Sequence, residues 1–217
     1  MPYGRARGPR ESFSEHRERR AAIEDPEVVL NAAARFLEVR PRSVDEVRRH
    51  LGSAGYREEL VESAVARLLE LSMLDDRAFG QAWVESRDRA RPRGESAIRQ
   101  ELARKGLDRE LIAELLAVRR AGDADSRGGG LGGDTDPTTS DEAPASPDEL
   151  AAERLLHKRA SALLRISDPR QRGNRAYALL ARNGFDPEIC RRVSQRALAS
   201  MDGVGANGGD EGADGEP

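Results

Sequence analysis

Apolar residues recur along this chain at helical spacing. Leu30, Ala33, Ala34 and Leu37 fall at i, i+3, i+4 and i+7, the stripe of a helix that buries one face. Phe79, Ala82, Trp83 and Ser86 repeat the spacing less completely. No alternating apolar run of strand length occurs, so the pattern predicts an all-α fold without a sheet. Each stripe has local stop and start signals. Arg40-Pro41-Arg42-Ser43 ends one helix, because proline disfavours helical backbone in the residue before it. Ser43 with Glu46 three residues on then reads as a capping box that starts the next. Gly55, Gly106 and Gly184 fit left-handed C-terminal caps, each followed by an apolar residue (Tyr56, Leu107, Phe185) that can fold back on its helix.

These signals repeat. Arg40-Pro41-Arg42-Ser43 returns as Arg91-Pro92-Arg93-Gly94, and Val47/Ile98, Arg48/Arg99, Leu51/Leu102 and Gly55/Gly106 keep the same offset of 51 positions, through to Glu59-Leu60-Val61 against Glu110-Leu111-Ile112. A third copy follows at an offset of 78, with Leu180, Gly184-Phe185 and Glu188-Ile189. Each copy reads as three helices. The first helices span Glu27–Val39, Asp76–Ala90 and Asp148–Ile166, with Asp76 as an N-cap. The second end near Leu51, Leu102 and Leu180. The third span Glu58–Leu71, Arg109–Val118 and Pro187–Ala199, where Pro187 suits a first helical turn. The expected organisation is a flexible or partly helical arm (1–25), repeat 1 (26–73), repeat 2 (74–120), a linker rich in Gly, Pro, Ser and acids (121–147), repeat 3 (148–200) and an acidic tail (201–217).

Composition supports repeats over one large core. Apolar residues make up 37% of the 217 and charged residues 35%, against a usual ~45–50% and ~25%. Such a chain can build a thin core in which each unit packs on its neighbours. The net charge of −3 hides an asymmetry. Residues 150–200 carry 11 Lys+Arg against four acids, whereas 121–149 carry one Arg against eight acids and 201–217 carry five acids and no base. A basic folded face between acidic segments directs attention to nucleic acid or an acidic protein as partner. One cysteine, Cys190, excludes an internal disulfide. No apolar stretch approaches the roughly 20 residues that cross a bilayer, and the Arg-rich start lacks an apolar signal core. The expected location is therefore the cytoplasm, with no membrane partner.

Catalytic equipment is scarce. His16, His50 and His157 lie far apart without metal-ligand spacing. Cys190 sits on an apolar helix face without a nearby histidine and reads as a buried, inert thiol. Gly128–Gly133 lacks the lysine and the preceding strand of a phosphate loop. Asp75-Asp76 reads as helix capping ahead of a metal pair. Phe79 and Trp83, four apart, read as core packing ahead of a base-stacking platform. The expectation is a non-enzyme without cofactor or metal. The functional signal lies in arginines at repeated positions. Arg40, Arg42, Arg91 and Arg93 flank turns, Arg48 and Arg99 occupy equivalent second-helix positions, and Arg172, Arg175 and Arg182 make repeat 3 the most basic. Two readings stand: a basic track that grips carboxylates or phosphates, or a solvated face that compensates helix C-termini.

Leu74-Asp75-Asp76-Arg77-Ala78-Phe79-Gly80-Gln81-Ala82-Trp83-Val84 resembles the most recognisable stretch of the bacterial RecX regulatory proteins. Arg91-Pro92-Arg93-Gly94, Leu102-Ala103-Arg104-Lys105-Gly106 and the earlier Ala33…Leu37…Arg40-Pro41-Arg42-Ser43 extend the similarity, which covers about 27–120 well and 148–199 more loosely. The resemblance implies tandem three-helix repeats in a curved, elongated array. It also implies a partner of the RecA recombinase that lodges in the groove of the RecA–DNA filament, limits its growth, and restrains recombination, repair and the SOS response; the chain itself is expected to be a monomer. RecX proteins bring no catalytic residues to carry over. The long acidic linker and tail depart from the family pattern. A general DNA-binding helical module is the alternative reading, and a scaffold for another protein a third.

Overall fold

The computed structural model describes residues 12–125 and 145–205, all of them helix, turn or loop, with no strand. Residues 1–11 of the expected arm, 126–144 of the expected linker and 206–217 of the tail lie outside the described residues. The helices are α1 (Phe13–Ala21), α2 (Pro26–Glu38), α3 (Val44–Ala54), α4 (Glu58–Glu70), α5 (Asp76–Ala90), α6 (Glu95–Arg104), α7 (Arg109–Asp125), α8 (Pro147–His157), α9 (Ala160–Leu164), α10 (Pro169–Arg182) and α11 (Pro187–Gly205). They fall into two compact units. The first runs to Gly80 and includes Arg104–Asp108; the second contains Gln81–Ala103 and the chain from Arg109 onward.

Local chemistry sets most helix ends where the sequence puts them. Ser43 and Glu46 form the predicted capping box, and Ser12/Glu15 and Ser146/Glu149 form two more. Asp25 and Asp168 cap α2 and α10, each followed by proline in the first turn. Gly55, Gly106 and Gly184 adopt φ of 102°, 82° and 80°, a region open to glycine and costly for other residues. In the first unit Val29 and Ala33 of α2 are fully buried, with Val47 and Leu51 of α3 and Val65 and Leu68 of α4. Leu30 and Leu37, the first and last positions of the expected stripe, are partly buried and pack against this core. In the second unit Ala152 and Leu156 of α8 pack with Ala176 and Leu180 of α10 and Cys190 and Val193 of α11.

Three details differ from expectation. Part of the expected flexible arm is the helix α1, started by the Ser12/Glu15 capping box. Asp76 does not cap its own helix. Asp75 does, accepting the Ala78 amide at 2.9 Å, while the Asp76 carboxylate accepts the Val44 amide at the start of α3, also at 2.9 Å. Asp148 does the same for the Glu95 amide at the start of α6. Finally, the single helix expected over 148–166 is two, broken at Lys158-Arg159. No glycine or proline stands there. The break occurs where Lys158 reaches out to the carbonyl of Ala90, the last residue of α5, at 2.9 Å, so a tertiary contact marks it.

Candidate partner-binding surface

The nine arginines singled out from sequence have different fates. Arg172 is buried, 8% exposed, and donates to the Ile166 carbonyl at 3.1 Å, tying α10 to the loop before it. Arg42 lies over the Phe36 ring at 4.0 Å, and Phe36 stacks in turn on His50. Arg93 donates to Asn183 at 2.7 Å. These three are committed to the fold. Arg40 pairs with Glu46, Arg48 bidentately with Glu62 at 2.7 and 2.8 Å, and Arg99 with Glu95 at 2.6 Å. The repeat equivalence of Arg48 and Arg99 therefore does not extend to their partners: one reaches across to α4, the other back along its own helix. Arg91, Arg175 and Arg182 are exposed and have no ion-pair partner among the described residues.

Arg175 and Arg182 belong to a site. Gln171, Arg175, Leu179 and Arg182 are spaced four, four and three apart on α10, which places them on one face. Opposite them, Arg159, Ala162, Leu163 and Ile166 come from α9 and its flanks. Together they line a groove of about 590 Å³ with an apolar floor and a rim of three guanidinium groups. Arg159, like the other two, has no acidic partner among the described residues. The sequence reading passed over Arg159, because it lay inside what looked like one continuous helix. The signal that could have found it is its spacing of three, four and seven to Ala162, Leu163 and Ile166. Three unpaired guanidiniums around one groove offer planar, bidentate donors to phosphates or carboxylates, and the apolar floor accepts an aliphatic or aromatic group between them.

Most other charged groups are already satisfied. Arg119, only 4% exposed, donates to Asp88 through Nη2 and Nε and to Asp148 through Nη1. Burial opposes its charge, but the two carboxylates outweigh burial and raise its pKa. Glu46 likewise has its pKa raised by burial, yet hydrogen bonds from Arg40, Lys105 and the Ser43 amide prevail and hold it at about 2. Trp83 donates to Glu101 at 2.9 Å with Arg87 stacked 4.2 Å over its ring, and Phe79 is buried, so both rings are engaged within the fold. Cys190 is fully buried, its thiol pKa raised by burial and by Asp186. Among the described residues no group of His, Cys, Asp or Glu could hold a metal ion, and no helix is long and apolar enough to cross a membrane.

Two family profiles match this chain: the first three-helix domain of RecX over residues 30–68 and the second over residues 75–116. A protein of Mycolicibacterium vanbaalenii named Regulatory protein RecX is 31% identical over 130 residues, covering 60% of this chain and 69% of that one. The chain belongs to the RecX family. The RecX relative from Pelodictyon phaeoclathratiforme is 39% identical over 87 residues, 40% of this chain and 54% of its own length. The match to such RecX relatives thus spans about half of their length. The crystal structure of RecX from Lactobacillus salivarius shares the fold at a TM-score of 0.60 and 19% identity, over 80% of this chain and 97% of that one. A second RecX crystal structure gives 0.57 at 16% identity, over 84% and 73%.

Proposed function

We propose that this protein is a non-enzymatic regulator that binds the RecA recombinase and its filament on DNA and restrains their activity in recombination, repair and the SOS response. Membership of the RecX family of regulatory proteins supports the reading. The observation on this chain that carries it is the groove rimmed by Arg159, Arg175 and Arg182, three cations without acidic partners among the described residues. The groove suits an acidic protein surface or a DNA phosphate, and a RecA–DNA filament presents both. Arg91 joins these contacts, while Arg40, Arg48 and Arg99 exchange their glutamates for partner groups on docking. Arg42, Arg93 and Arg172 act by holding the repeats in shape. The protein works in the cytoplasm as a monomer.

The test is RecA's single-stranded-DNA-dependent ATP hydrolysis with the protein titrated in at fixed salt. Inhibition at substoichiometric amounts is expected. Arg175→Glu with Arg182→Glu should raise the concentration for half-inhibition by about tenfold or more, because reversing rim charges slows encounter and adds repulsion. Helicity should not change, since neither side chain is buried. The basic groove also suits DNA alone. No effect on RecA, with salt-sensitive binding to naked DNA retained, would favour that second reading.

A further inference from the structure

The groove rimmed by Arg159, Arg175 and Arg182 belongs to the second unit, as does α11. α10 and α11 form a hairpin that turns between Arg182 and Pro187. A methyl group built on Gly173 would lie 2.8 Å from Leu198 Cδ1, so the last turns of α11 run beside the first turns of α10. Arg175 stands at that same end of α10. From Leu198 to Gly205, where α11 ends, is a rise of about 10 Å. The chain then continues through residues 206–217, which carry Asp210, Glu211, Asp214 and Glu216 and no Lys or Arg. At roughly 3.4 Å per residue, Asp210 can reach about 17 Å from Gly205, and Glu216 about 37 Å. The way back to Arg175 is roughly 13 Å along α10 and about one helix width, ~10 Å, across it, with Arg182 another ~10 Å along. The acids are thus spaced to meet the rim, Asp210 and Glu211 near Arg175, and Asp214 and Glu216 toward Arg182.

Charge points the same way. The arginines of α11 are engaged, Arg191 with Glu188, Arg192 with Glu149 and Arg196 with Glu153. The three guanidiniums of the rim have no acidic partner among the described residues. Gly212, Ala213 and Gly215 stand between the acids of 206–217, and residues this small let a backbone lie close to the apolar floor. We propose that the groove is a site for an extended acidic peptide, and that residues 206–217 of the same chain occupy it until an outside partner displaces them. Such regulation rests on the groove being the partner surface proposed above. Ion pairs at an exposed rim are individually weak and are screened by salt. A tether offsets that weakness, since a short one holds its ligand at an effective concentration on the order of millimolar. An acidic or phosphate-bearing partner that makes further contacts displaces the tail, and a weakly anionic surface does not.

The test is binding of a fluorescent synthetic peptide of residues 206–217, followed by anisotropy at low ionic strength, where exposed charges are least screened. Three full-length chains are compared. One is unaltered. The second carries Asp210→Asn, Glu211→Gln, Asp214→Asn and Glu216→Gln, and the third adds Arg175→Glu and Arg182→Glu to these. The neutralised chain should bind the peptide at least about threefold more tightly than the unaltered chain, whose groove is filled. Reversing the two arginines should weaken that binding about tenfold or more, with the circular-dichroism spectrum unchanged. Equal binding by the unaltered and neutralised chains overturns the proposal. So does an absence of binding by the neutralised chain, or binding that survives the arginine reversal. RecA takes no part in these measurements, so their failure is distinct from failure of the RecA reading. In the ATP-hydrolysis assay the neutralised chain should reach half-inhibition at about one third of the concentration the unaltered chain needs, and equal values overturn the regulation. Peptide binding as expected, with neither chain affecting RecA, would support the tail in the groove and sink the RecA reading alone.

Discussion

Glu46→Gln isolates the charge of one half-buried hub. Gln keeps the capping-box geometry with Ser43, so the substitution removes little beyond the negative charge facing Lys105 Nζ at 2.6 Å and Arg40 Nη2 at 2.9 Å. The carboxyl titrates at about 2 in the fold against an ordinary 4.5, and at ~1.4 kcal/mol per pKa unit this sets a ceiling of roughly 3 kcal/mol. The carboxylate is 13% exposed and Arg40 lies largely in water, so about 2 kcal/mol is the expected cost at neutral pH after screening. The sign follows from the lowered pKa. The stabilisation is complete above the unfolded value of 4.5 and is lost as pH falls through the folded value near 2. Urea unfolding followed by circular dichroism, at pH 7 and again near pH 2, should show a clear gap between the parent and Glu46→Gln at the higher pH and almost none at the lower. An equal gap at both would refute the reasoning, since the cost would then come from shape and not from charge.

Other substitutions probe different physics. Arg119→Ala should cost about 3–5 kcal/mol in urea unfolding, because it leaves Asp88 and Asp148 facing each other without their shared cation. Gly106→Ala should lower the melting temperature by several degrees, through left-handed strain of ~1–2 kcal/mol and the clash with Asp45. Gly52→Ala, in a helix with nothing within 4 Å of the new methyl, should instead raise stability by ~0.5–1 kcal/mol. Ser72 has φ of 54° without being glycine, so Ser72→Gly should stabilise by up to about 1 kcal/mol in the same denaturation assay; a loss of stability there would show that the serine side chain, not its backbone, matters at that turn.

The sequence by itself determined the local features: which segments are helical, where most of them start and stop, and that one three-helix unit recurs. Capping boxes, proline breaks and left-handed glycines act over four or five residues, so Ser43/Glu46 and Gly55, Gly106 and Gly184 were legible without knowledge of the neighbours. The arginines were legible only as a set. Arg172 and Arg182 are the same side chain on the same helix, yet one is buried against carbonyls and the other rims an open groove. Whether a guanidinium is free depends on which carboxylate or carbonyl comes within reach, and the partners of Arg93 and Arg119 lie 90 and 29–31 positions away. The same holds for Asp76 and Asp148, which cap helices other than their own, and for the break at Lys158-Arg159. Charge pairing and cross-helix capping are decided by distance in space, which the repeat pattern does not encode, and only the tertiary structure separated arginines held by the fold from those that rim an open groove.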